Sequence, residues 1–160
     1  MVSKFFPKTR FVLFSQKDMG GLKLALKTNN DKMIEANHEH QILPKYQQYL
    51  DSFVAKVSNP DNPADIEKPE LDCFLHLLEW PLGFRIPVID LTRLFLLHHS
   101  SSNLFTTYDN GATYTSKLLG LLSEKCVENL KLVTCRALCN LFHGNSSTRS
   151  IMSLLHTLYS

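Results

Sequence analysis

Leu130-Lys131-Leu132-Val133-Thr134-Cys135-Arg136-Ala137-Leu138-Cys139-Asn140-Leu141-Phe142 reads as a helix with two faces. Val127, Leu130, Val133, Ala137, Leu138 and Leu141 recur at helical spacing and form an apolar stripe. Arg136 and Asn140 stand four apart, so they neighbour each other on a second face. Asn129 and His143 extend that face in both directions, and Gly144 supplies a residue suited to the left-handed helix end. An arginine followed one turn later by an asparagine can serve an extended peptide. The guanidinium holds a carboxylate by two parallel bonds, and the amide both donates to and accepts from a backbone. The bland reading of the same pair is a solvated polar face on an ordinary bundle helix.

Around this helix lies enough chain for one domain. With 160 residues, 44% of them apolar and 20% charged, the sequence has the composition of a globular protein. A net charge of +2, with no basic run, argues against nucleic acid as a partner. The longest apolar-rich stretch, Ile86 to Leu97, is broken by Pro87, Asp90 and Arg93 and is too short to span a bilayer, so no membrane partner is expected. Four cysteines, at 73, 126, 135 and 139, form no CxxC. Reduced thiols and an intracellular setting are the expectation. Cytoplasm is the expected compartment, with the nucleus as a second.

Outward from residues 130–142, the pattern predicts an all-α chain. Residues 1–19 form an extended arm in which Phe11, Val12, Leu13 and Phe14 are β-prone and Pro7 keeps the approach extended. Gly20-Gly21 breaks the arm, and a short helix follows that stops near Asn29-Asn30. The next helix runs from Asn37 or Leu43 to Val57, with Pro44 suited to its first turn. Asn62 and Pro63 predict a cap and first helical position, with Asp65 in the first turn. That helix carries Leu71, Phe74, Leu75 and Leu78 inward and ends at Trp80-Pro81-Leu82-Gly83. Pro87 opens a helix through His98 whose only polar breaks are Asp90 and Arg93, as in a helix buried between neighbours. Further helices follow Asp109-Asn110-Gly111 and, to the C-terminus, Ser146 or Ser147.

About seven short helices joined by polar loops suggest an α-solenoid rather than a four-helix bundle. The final apolar helix has no polar capping repeat after it, which suggests one part of a longer array or an end covered by another chain.

Other constellations are weaker. Cys135, Cys139 and His143 share one face at fourfold spacing and could offer soft-metal ligands, but they lack a fourth ligand. Core or boundary cysteines are the favoured reading. His98 and His99 read as surface or helix-end histidines that complement a C-terminal dipole. Asp90 and Arg93 form an i, i+3 pair, for which a local salt bridge is the simplest reading. No nucleophile elbow and no glycine-rich phosphate loop is present, so neither catalysis nor a cofactor is expected.

Two of these helices resemble those of the PUL domain, the armadillo-like C-terminal domain of the phospholipase-A-2-activating protein family. Ile86-Pro87-Val88-Ile89-Asp90-Leu91-Thr92-Arg93-Leu94 is similar to the family's fPalDilRl helix. Val133-Thr134-Cys135-Arg136-Ala137-Leu138-Cys139-Asn140-Leu141-Phe142 is similar to its aLRtfcNcF helix. Phe5-Phe6-Pro7-Lys8 with Phe11-Val12-Leu13-Phe14 resembles the entry segment yFPkk…vtF, while residues 30–70 match only in pattern.

The resemblance implies one armadillo-like domain over residues 1–160 and a non-catalytic adaptor of the ubiquitin-dependent degradation pathway. In that family a concave, basic groove binds the acidic C-terminal tail of the AAA ATPase valosin-containing protein. Carried onto this chain, the matched positions are Arg93, Arg136 and Asn140, flanked by Asn129 and His143. The family's array is longer, so the resemblance also implies an N-terminal portion, with the remaining repeats of a parent domain as a further partner. The alternatives are a helical scaffold for another protein and a metal- or thiol-dependent enzyme using Cys135, Cys139 and His143.

Overall fold

The computed structural model describes residues 18–102, 111–123 and 125–141. Within them the fold is all-α and armadillo-like. In order come α1 (Met19–Glu35), α2 (Pro44–Val57), α3 (Lys68–Leu77), a single 3-10 turn (Leu82–Phe84), α4 (Arg85–Phe95), α5 (Ala112–Gly120) and α6 (Glu128–Leu141). Residues 1–17 of the predicted arm, the terminal helix, His143 and Gly144 lie outside the described residues, and Met19, expected in the arm, opens α1 instead.

Several helix boundaries depart from the pattern reading. α1 begins at Met19, so Gly20 and Gly21 lie inside its first turn rather than breaking the chain. Asp18 caps it, its carboxylate accepting from Gly21 N at 3.0 Å. A Cβ at Gly21 would stand 2.6 Å from that carboxylate, so glycine makes room for the cap. α1 also continues past Asn29-Asn30. Asn30 is buried, and its amide donates to Ile42 O at 2.9 Å and accepts from Ile42 N at 2.7 Å. A mid-helix amide that satisfies a distant backbone in both directions is compatible with the helix it was expected to end.

α2 opens with Pro44 at its first position, as predicted. α3 starts at Lys68, not at Pro63. Asn59 and Asn62 close local turns instead, accepting from Asp61 N at 3.1 Å and Ala64 N at 3.0 Å. The helix is started by Glu70, whose carboxylate accepts from Glu67 N at 2.7 Å. The same buried carboxylate accepts from Lys56 Nζ at 2.8 Å and from the Ser52 hydroxyl, which joins α3 to α2. α5 follows Gly111, which has φ 73°, a conformation that glycine adopts without strain.

The core centres on three rings from three helices. Phe53 of α2 stacks on Phe74 of α3 at 4.7 Å between centroids, and Phe95 of α4 leans on both at 5.4 and 5.1 Å. Trp80 is fully buried and gives its indole N–H to the His40 carbonyl at 2.9 Å. α4 is buried almost all round, as its sequence predicted, and packs against α1, α2 and α6. Its contact with α6 is the most extensive between helices in the described residues. Thr92 and Thr134 are closed to solvent there, each hydroxyl bonding the carbonyl four residues back, at 3.0 and 2.8 Å.

Candidate functional site

The sequence-selected residues gather on α4 and α6. Arg93 lies on α4, whose neighbours leave it only 4% exposed. Its Nε and Nη2 donate to Asp90 Oδ1 at 2.8 and 2.6 Å, so the pair expected one helical turn apart is formed. A buried guanidinium with such a partner avoids the several kcal/mol that an unpaired buried ion would cost.

On α6, Arg136 is half-buried and Asn129 is exposed. Asn140 differs from the expectation that it shares Arg136's open face. It is fully buried, and its Nδ2 donates to the Arg93 carbonyl at 2.8 Å. The reason is helical geometry: each four-residue step turns the side chain about 40° further round the axis, and here that turn carries Asn140 into the α4 contact. Asn140 therefore straps the two helices together, while Arg136 stands at the edge of their contact. The buried face of α6 holds Leu130, Val133, Ala137 and Leu141 as predicted, but also Thr134 and Asn140, and Val127 lies exposed instead of in the stripe.

The thiols and histidines are placed differently from the sequence reading. Cys135 and Cys139 are exposed rather than core or boundary residues, while Cys73 and Cys126 are buried. Burial pushes the Cys73 thiol up to about 11, with the nearby Asp51 charge acting in the same direction. Among the described residues no group of three His, Cys, Asp or Glu is placed to hold a metal ion. His98 is not a surface residue: α4 ends at Phe95, and His98 is 1% exposed beneath it, its Nδ1 accepting from Ser100 N at 3.2 Å. Burial, and then the neighbouring His99 charge, hold its imidazole below the usual range. His99 is the exposed member and meets Asp65 at 2.9 Å.

Two surface grooves of about 530 and 560 Å³ open beside α2, one against α1 and one against α3. Neither is lined by Arg93, Arg136 or Asn140. Among the described residues no helix is long and apolar enough to cross a membrane.

Stacked short helices around a largely buried α4, with an arginine on each of two adjoining helices, define an armadillo-like helical domain with polar side chains at the contact of α4 and α6. The chain belongs to the PUL domain family, whose model matches residues 6–160. It is similar to the phospholipase A-2-activating protein of Xenopus laevis, with 25% identity over 138 residues, covering 86% of this chain and 17% of that protein. It is also similar to the ubiquitin fusion degradation protein 3 homolog of Caenorhabditis elegans, with 33% identity over 66 residues, covering 41% of this chain and 8% of that protein. The chain thus spans less than a fifth of the length of either relative.

Proposed function

We propose that this chain is a non-catalytic, peptide-binding adaptor domain of the ubiquitin-dependent degradation pathway, working in the cytoplasm and nucleus. Its ligand is the acidic C-terminal tail of the AAA ATPase valosin-containing protein. The observation that carries the reading is that Arg93 and Arg136 stand on adjoining helices, which the bond from the Asn140 amide to the Arg93 carbonyl joins. PUL domain membership and the degradation-related name of the worm relative support it.

In this reading Arg136 takes a carboxylate of the tail, because a half-buried guanidinium can form charge-assisted bonds without first giving up all of its hydration. Asn129, exposed about two helical turns before it, contributes a polar edge, while His143 lies outside the described residues. Asn140, being covered, acts through the position of Arg93 rather than by touching the tail.

The test is calorimetric titration of the chain with the ATPase's C-terminal peptide at two salt concentrations. Binding that weakens with salt supports an electrostatic tail site. Salt-independent binding would contradict it.

A further inference from the structure

Asp90 is paired with one of the two arginines assigned to the acidic tail. Its Oδ1 accepts from Arg93 Nε at 2.8 Å and from Nη2 at 2.6 Å. The Asp90 side chain is 19% exposed against 5% for Arg93. The carboxylate is therefore the more open member of the pair. Arg93 is held separately through its backbone, since its carbonyl accepts the Asn140 amide at 2.8 Å. Moving or neutralising the Asp90 carboxylate leaves that anchor intact.

A ligand carboxylate and Asp90 compete for the same cation. They also repel each other when brought side by side. We propose that Asp90 is a built-in competitor that sets the specificity of the α4–α6 seam: an acidic peptide engages Arg93 only by displacing the Asp90 carboxylate toward water. The inference rests on reading this seam as the peptide site. It makes Asp90 a specificity-determining residue, one that lowers affinity for acidic ligands and leaves uncharged ones unaffected.

The experiment uses the full chain, Asp90→Asn and Asp90→Glu, each titrated with the ATPase's acidic C-terminal peptide and with a counterpart whose carboxylates are replaced by amides. Asp90→Asn keeps an acceptor oxygen for Arg93 while removing the charge. It should bind the acidic peptide about tenfold more tightly, as expected for one charge-assisted hydrogen bond gained. Affinity for the amide counterpart should stay the same, and Asp90→Glu should keep the wild-type preference. A merely structural role would move both peptides together. Equal or weaker acidic-peptide binding by a folded Asp90→Asn overturns the inference. Should that variant melt early, the Arg93 Nε–H resonance of the unaltered chain becomes the readout. It shifts on saturation with the acidic peptide if Asp90 is displaced, and an unmoved resonance overturns the inference. Arg136→Glu separates the two ideas. If it abolishes binding while Asp90→Asn brings no gain, only the role of Asp90 is lost. If it leaves affinity unchanged, the peptide site itself lies elsewhere, and absence of binding to every variant overturns both.

Discussion

The side-chain amide of Asn140 donates to the backbone carbonyl of Arg93 at 2.8 Å, joining α6 to α4 across 47 positions of sequence. Both residues are almost closed to water, so no solvent molecule can take over the bond cheaply. Replacing Asn140 with leucine should therefore cost about 1–3 kcal/mol, the usual penalty for stranding a buried polar group. Urea unfolding of the variant checks this. A loss within error of zero would mean that the carbonyl finds another donor.

Acid should weaken the fold in two stages. His98 is buried and its imidazole is held below its ordinary value of 6.5, first by desolvation and then by the His99 charge. The unfolded chain therefore takes up a proton more readily than the folded one, and stability contributed by neutral His98 is lost as pH falls below about 6.5. Burial alone would raise Glu70, but the bonds from Lys56, Ser52 and the Glu67 backbone outweigh it and hold the carboxyl below its ordinary 4.5. Its contribution is complete above 4.5 and is lost as pH falls through that value toward the folded one. Melting temperatures measured from pH 8 to pH 3 should hold level down to about pH 6.5, fall below it, and fall further below about 4.5, where Glu70→Gln should flatten the curve. A melting temperature that rises on acidification would contradict the assignment.

Thiol chemistry should sort the four cysteines by face. Cys135 and Cys139 point outward from α6 and should react with a maleimide in the native state. Cys73 and Cys126 are buried, and Cys73 is further protected by a thiol pushed up to about 11, which leaves little thiolate at neutral pH. Mass spectrometry after brief labelling should find two modified sites, with all four modified only after unfolding. Native labelling at Cys73 would contradict this packing.

Much of the helix order was legible because the signals were local. Pro44 opens α2, Gly111 precedes α5, and the near-continuous apolar run of α4 predicts its burial. Three of the misreadings share one physical cause: a polar side chain does not carry the address of a distant partner. Asn30 looked like a helix end because its partner, Ile42, lies beyond the helix. Asn140 looked solvent-facing because its partner sits on α4. His98 looked like a helix-end residue until α4 proved shorter and the chain folded the ring inward. For Pro63 two local signals competed, and the turn closed by Asn62 won over the helix start. At Cys135 and Cys139, a residue type that is usually buried says nothing about which face of a helix it occupies. Arg136 was legible as a candidate from helical spacing and Arg93 from motif resemblance, but that Asp90 is the more open member of its pair with Arg93 emerges only from the packing.

The most direct test of the tail-binding site is a charge swap at Arg136. The chain and Arg136→Glu are titrated with the acidic tail peptide and with a version in which lysines replace the acidic residues, and the melting of both chains is recorded. Arg136 is half-buried at the edge of the α4–α6 contact, so the substitution should leave the fold standing. Binding of the acidic peptide should fall by tenfold or more, in line with the loss of one charge-assisted contact of roughly 1.5–3 kcal/mol. The lysine peptide should bind Arg136→Glu more tightly than it binds the unaltered chain. Equal affinity of both chains for the acidic peptide, with both folded, would place the ligand away from α6.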